Sequence, residues 1–241
     1  MARKATGRRA QLGIALLENK GQMKFNLLMQ APDQRKRLQA SVVGLIFIGF
    51  LAIDQIVKIW VKTHMAVHDS IRVTDWFYIT FIENNGMAFG MELFDKLFLT
   101  GFRLLATAAV AVYISKLIRK GVSWGYLICL AFIMTGAAGN IIDCVFYGLF
   151  FNDAQWPEIA HFVPFGEGYS TWFRGRVVDM FYFPLAEWTW PSWLPVIGGA
   201  RYTFFSYIFN VADACISCGV VALLLFCRKT LTGELADKDE A

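Results

Sequence analysis

The side chains able to do chemistry in this chain are few, and most are carboxyl or amide groups. Asp54, Asp143, Asp179 and Asp213, with Asn84, Asn140 and Asn210, stand in or beside long apolar stretches. Such groups are costly there and call for an explanation. Carboxyl groups gathered in one partly dry layer cannot all ionise cheaply. Two brought close would share a proton, and their titration would belong to the pair. That is the working state of an aspartate pair that hydrolyses an amide: the ionised member activates water and the protonated member polarises the carbonyl.

Other chemistries are less well served. His64 and His68 are four apart, but no H-E-x-x-H box is present and the remaining histidine is His161, so no metal site is expected. No cofactor is expected either. Cys144 as a nucleophile paired with a loop histidine lacks an orienting group. The other cysteines, Cys129, Cys215, Cys218 and Cys227, fall in or at the end of apolar runs and read as buried thiols, without a disulfide framework. Asp54 and Lys58, at i and i+4, read equally well as a simple intrahelical ion pair.

These groups need elements that hold them in a bilayer. The 241 residues are 56% hydrophobic and 17% charged, with mean hydropathy +0.46, where soluble domains carry about 25% charge. Four apolar runs reach the ~20 residues that cross a hydrocarbon core: Ala40 to Val61, Leu97 to Leu117 with Arg103 near its start, Val122 to Ile142, and Tyr202 to Cys227. The fold class expected is a membrane all-α protein of four transmembrane helices with a small β-rich extracytoplasmic element.

Lys and Arg flank these runs at Arg35–Arg37, Lys116–Lys120 and Arg228–Lys229. This places both termini and the short middle loop in the cytoplasm, with residues 63–96 and 144–201 outside. The net charge of +4 is then a topology signal, and no nucleic-acid partner is expected. At ~1.5 Å per residue, Asp213 lies about 22 Å from Arg228, Asp54 about 25 Å from Arg37, and Asn140 and Asp143 about 30 and 34 Å from Lys120. All four fall in the outer third of the membrane or at its boundary, and Asp179 and Asn84 lie in the outer segments.

Residues 1–38 read as a cytosolic tail without a cleavable signal, amphipathic around Phe25 to Met29; 39–229 as one four-span domain; 230–241 as a cytosolic tail. Ile71 to Ile82 is rich in β-branched and aromatic residues and predicts strands ended by the turn Asn84-Asn85-Gly86. Trp188 to Pro195 reads as an anchor at the lipid headgroups.

Five boxes resemble those of lipoprotein signal peptidases, in that family's order. They are Asp54-Gln55 with Lys58; Asn84-Asn85-Gly86-Met87-Ala88-Phe89; Gly136-Ala137-Ala138-Gly139-Asn140-Ile141-Ile142-Asp143; Val177-Val178-Asp179-Met180; and Phe209-Asn210-Val211-Ala212-Asp213. The resemblance covers residues 40–228. It implies Asp179 and Asp213 as the catalytic aspartates, Asn140 and Asp143 as residues ordering the site, Asn84 as a group holding the substrate backbone, and Asp54, Lys58 and Asn210 in support. It implies a bacterial inner-membrane enzyme, needing no metal, that cuts a prolipoprotein just before its diacylglyceryl-modified cysteine. The expected partners are that substrate and membrane lipid, and the protein is expected to be a monomer. Two departures stand out. Cys144 occupies the place of an arginine, for which Arg174 or Arg176 is a candidate replacement, and residues 152–173 form an insertion.

Two rival functions remain in view. A proton-coupled carrier would spread acids through the membrane depth and show repeat symmetry, and this chain does neither. A non-catalytic assembly factor would tolerate Asp→Asn at both dyad positions.

Overall fold

The computed structural model describes residues 32–85, 96–228, 230 and 233. The N-terminal tail through residue 31, the box residues Gly86–Gly90 and most of the C-terminal tail lie outside the described residues.

Three helices are long and apolar enough to cross a membrane. Helix α1 (Pro32–His64) opens on Pro32 with Asp33 in its first turn, both favourable at a helix N-terminus. Helix α2 (Lys96–Lys120) ends on Arg119 and Lys120, and Gly121 follows with φ +73°, the left-handed stop that glycine adopts without strain. Helix α3 (Trp124–Ile142) continues through a wider π-turn (Asp143–Tyr147) and a last α-turn (Gly148–Phe150). On α1 and α2, Leu45, Ile48, Ile56 and Leu105 point outward, as lipid-facing helices require.

The fourth apolar run behaves differently from its expectation. Tyr202 to Phe209 is not helical: it contains strands β5 (Arg201–Phe204) and β6 (Ile208–Phe209). Helix α4 starts only at Val211 and runs to Phe226. The reason is local. The Asn210 side chain accepts from Asp213 N at 2.9 Å, and Asp213 Oδ2 accepts from Asn210 N at 3.3 Å. This reciprocal capping box fixes the helix start. The result is an apolar helix of 16 residues.

Helix α3 is the most enclosed of the spans, and glycines let its neighbours approach. A Cβ on Gly136 would meet Ala212 O at 2.1 Å, and one on Gly139 would meet Asp54 Oδ2 at 2.7 Å. The G-x-x-G spacing therefore seats α3 against the start of α4 and against Asp54 of α1.

A four-stranded antiparallel sheet in the order β1-β2-β3-β6 caps one end of the helices. It joins β1 (Ser70–Arg72), β2 (Tyr78–Asn84), β3 (Val177–Tyr182) and β6. The strands expected over 71–82 are thus present, split by a turn. Asn84 pairs with Val177 and Ile82 with Asp179, past an irregularity between Ile79 and Ile82. A separate hairpin pairs β4 (Ala186–Thr189) with β5. Trp188 and Tyr202 face each other across it with ring centroids 4.7 Å apart, and Trp193 in its loop is 78% exposed.

Residues 152–173 carry isolated bridges, Phe151 to Phe162 and Ala66 to Ile159, rather than strands. Among the described residues all five cysteines are free; Cys218 is exposed on α4 and the other four are buried.

Candidate active site

The site is assembled where α1, α3, α4 and β3 meet. Its base is a buried ionic network. Lys58 Nζ lies 2.9 Å from Asp54 Oδ2 and 2.9 Å from Asp143 Oδ2, and donates to Asn140 Oδ1 at 2.9 Å. A lone buried ammonium would be costly, but here two carboxylates and an amide oxygen surround it. Asp54 also accepts from Ala212 N at 2.9 Å, so α1 helps satisfy the first turn of α4. Asp54 and Lys58 are therefore more than an intrahelical pair. Asp143 accepts from Val178 N at 3.2 Å and from Gln55 Nε2 at 3.0 Å, which ties β3 to the helices. Tyr147 of the π-turn donates to Gln55 Oε1 at 3.2 Å.

Three amides stand on this base and hold two carboxylates. Asn140 Nδ2 donates to Asp213 Oδ1 at 2.8 Å. Asn210 Nδ2 donates to Asp179 Oδ1 at 2.6 Å, and shares its hydrogens with Asn140 Oδ1 at 3.1 Å and Val178 O at 3.3 Å. Asn84 Nδ2 donates to Asp179 Oδ2 at 3.2 Å. Asn84 is thus the last residue of β2 and a partner of Asp179, while the turn expected after it runs into residues outside the described ones.

Burial and the nearby Asp213 charge push Asp179 up to about 7, against the hydrogen bonds from Asn84 and Asn210, which favour its ionised form. Asp179 is buried, whereas Asp213 faces a cavity of about 260 Å³ between α2, α3 and α4. Asn140 also lines it, with Arg103 and Thr107 from α2 and apolar walls that include Phe102 and Ile216.

The structure brings Asp54, Lys58, Asn84, Asn140, Asp143, Asp179, Asn210 and Asp213 together. Arg176 is directed elsewhere: its guanidinium bonds Glu83 at 2.8 Å and Asp153 at 2.9 Å and stacks over Tyr169. Lys62 pairs with the same Glu83, so this second cluster fastens the 152–173 insertion to β2. Arg174 is exposed on the loop before β3. Neither arginine lines the cavity. His64 stacks on Trp60, and among the described residues no three His, Cys, Asp or Glu side chains gather as metal ligands would. Two participants escaped the sequence reading. Gln55 was visible only as a motif letter. Arg103 shows in the sequence only as a charge near the start of a span, although a count of thirteen residues back from Lys116, about 20 Å, puts it level with Asp213.

The geometry is that of two aspartate side chains held by amides at the end of membrane helices. The family model for signal peptidase (SPase) II matches residues 45–228. A lipoprotein signal peptidase of Porphyromonas gingivalis is 48% identical over 195 residues, covering 80% of this chain and 86% of that one. One from Amoebophilus asiaticus is 34% identical over 192 residues, covering 75% of each. A solved bacterial membrane enzyme superposes with a TM-score of 0.52 at 20% identity, over 80% of this chain and 91% of that one, a likeness of fold. With the boxes, the fold and the sequence kinship in agreement, this chain belongs to the signal peptidase II family, membrane aspartic peptidases that process prolipoproteins.

Proposed function

We propose that Asp179 and Asp213 are the catalytic pair, and that they cut the prolipoprotein just before its diacylglyceryl-modified cysteine. The observation that carries this is the pairing itself: two carboxyl groups from different elements, each held by asparagine amides, one buried and one facing a cavity. Asp179, pushed up to about 7, keeps its proton near neutrality and donates it toward the scissile carbonyl oxygen. Asp213 takes a proton from water as the hydroxyl adds to the carbonyl carbon. The resulting diol collapses, the C–N bond breaks, the Asp213 proton passes to the leaving amine, and Asp179 recovers its own from the diol.

Asn140, Asn210 and Asn84 orient the carboxyl groups, and Lys58, Asp54 and Asp143 hold those amides in place. Mass spectrometry of the products tests the cut. The mature fragment is expected to begin with the lipid-bearing cysteine; equal cleavage of a precursor lacking the lipid would contradict this reading.

In the bilayer, α4 forms the fourth span. Its 16 residues cover about 24 Å, short of a ~30 Å core, and Asp213 in its first turn sits at the outer boundary. Both termini then face the cytoplasm of a bacterial inner membrane, with the sheet and the β4–β5 hairpin outside. The sheet covers the site, and the hairpin rests its exposed Trp193 and Val196 among the headgroups. Supporting this is the basic cluster of Lys116, Arg119 and Lys120 at the opposite end of α2 from the site. A cysteine introduced at Ser192 is expected to react with a membrane-impermeant maleimide added to spheroplasts; labelling only after lysis would reverse the topology. The protein is proposed to act as a monomer.

A further inference from the structure

Two lysine arms leave one face of α1. Lys58 and Lys62 stand one helical turn apart, at i and i+4. Lys58 reaches Asn140, which in turn holds Asp213. Lys62 reaches Glu83, a carboxylate that the aspartate chemistry does not use. The side chains of this second pair are 2% and 8% exposed, and burying an ion pair carries a desolvation cost that calls for a reason. The Lys62 ammonium also lies 5.1 Å from the Phe151 ring centre and 5.3 Å from that of Tyr169. The second oxygen of Glu83 accepts from Arg176 Nη1 at 2.8 Å. Arg176 is itself fixed to the insertion: its backbone N donates to Tyr169 Oη at 2.6 Å and its guanidinium pairs with Asp153. Glu83 is therefore gripped both by a membrane helix and by the insertion.

Glu83 immediately precedes Asn84 in β2. Successive strand residues face opposite sides of a sheet. Glu83, opposite Val178, takes one side; Asn84, opposite Val177, takes the other, which is also the side of Asp179. The ladder between β2 and β3 is irregular between Ile79 and Ile82, just before this pair, so its hydrogen bonds hold the strand end less firmly. We propose that Glu83 is a positioning residue: clamped by Lys62 and Arg176, it keeps the end of β2 in the register that sets Asn84 Nδ2 on Asp179, and so makes the 152–173 insertion part of the support of the active site. The proposal rests on the reading of Asp179 as the acid. Each aspartate is then supported from α1, Asp213 through Lys58 and Asn140, Asp179 through Lys62, Glu83 and Asn84.

The surrounding charges give the test a sign. Asp179 faces Asp213 of α4 and Lys58 of α1. Glu83 faces Lys62 and Arg176, with Lys96 of α2 and Tyr169 of the insertion within reach of its charge. By field alone, removing the Glu83 charge eases ionisation of Asp179 and moves the limb in kcat/KM to lower pH. Losing the Asn84 hydrogen bond, which favours the ionised form, moves it to higher pH. The full chain is assayed in detergent micelles on a diacylglyceryl-modified prolipoprotein across pH, as the natural protein, Asn84→Ala, Glu83→Gln, and Lys62→Met combined with Glu83→Met. The Met pair removes one charge of each sign and leaves apolar groups of similar volume, a replacement that buried ion pairs commonly tolerate, so it serves where Glu83→Gln strands Lys62 and fails to fold. Both Glu83 variants are expected to raise the limb by about half a pH unit or more, the scale of one lost hydrogen bond, and adding Asn84→Ala to either should raise it no further. A merely structural role lowers the amount of active protein and leaves the limb in place. A limb that stays or falls in a folded Glu83 variant, or a shift that adds fully to that of Asn84→Ala, overturns the proposal. A limb that moves in Asn84→Ala but not in the Glu83 variants overturns this proposal alone; a limb unmoved in Asn84→Ala removes Asp179 from the acid role and takes the proposal with it.

Discussion

Asn210 Nδ2 lies 2.6 Å from Asp179 Oδ1 while the same side chain caps the helix that carries Asp213. One asparagine therefore sets the position of both carboxyl groups. Its oxygen does structural work at the helix start and its nitrogen orients the pair.

These two roles separate by substitution. Asn210→Ser retains a capping oxygen and loses the amide donor, so cleavage should fall tenfold or more with little change in thermal stability. Asn210→Ala loses both, and should in addition lose about 1 kcal/mol, the usual worth of an N-cap. Kinetics and thermal melts on the two purified variants check the split; equal activity in Asn210→Ser and the natural protein would contradict it.

Lys58 is fully buried between Asp54 and Asp143. Lys58→Met fills the space but leaves two buried carboxylates without their cation. Removing one partner of a buried pair costs about 3–5 kcal/mol, so a large drop in melting temperature is expected, with activity lost alongside.

Glycine placement makes a prediction with internal controls. Gly136→Ala drives a Cβ into Ala212 O and should displace α4, abolishing activity and lowering the yield of folded protein. Gly44→Ala and Gly49→Ala meet no atom within 4 Å and should be silent, or slightly stabilising, in the same assays.

The pH profile follows from Asp179. Its carboxyl is pushed up to about 7 by burial and by Asp213. Activity that needs it protonated should fall as pH rises through about 7, as a limb in kcat/KM. Asn84→Ala removes a hydrogen bond that favours the ionised form, so the limb should move to higher pH. The stability sign is the same. Between the unfolded value near 4 and the folded value near 7, the folded state holds a proton the unfolded state has released, so this group's contribution declines as pH rises. A limb that does not move in Asn84→Ala would remove Asp179 from the acid role.

Much of the site was legible in the sequence because its parts are intrinsically expensive. Asp54, Asn140, Asp143 and Asp213 stood out as polar groups in apolar runs, and a ruler along each helix placed them in one layer. What escaped notice depends on contacts distant in sequence. Asn84 pairs with Val177 across a sheet joining segments some ninety residues apart, and no local pattern announces that register. The late start of α4 is hidden because Tyr202 to Phe209 is as apolar as a span, and it takes the reciprocal bonds between Asn210 and Asp213, with the pairing of β5 and β6 to other strands, to exclude it from the helix. Arg176 looked available in the sequence because Glu83 and Asp153, which engage it, lie on other segments. Trp188 to Trp193 read as an anchor from composition alone, but its arrangement as a projecting hairpin depends on pairing with Arg201–Phe204.

The most direct measurement is cleavage of a diacylglyceryl-modified prolipoprotein in liposomes by the natural chain, Asp179→Asn and Asp213→Asn, each shown to be folded by its thermal transition. Cleavage by the natural chain and its loss, by a thousandfold or more, in both variants is the expected result. Cleavage that survives either substitution would contradict the assignment of the pair and turn attention to Asp143.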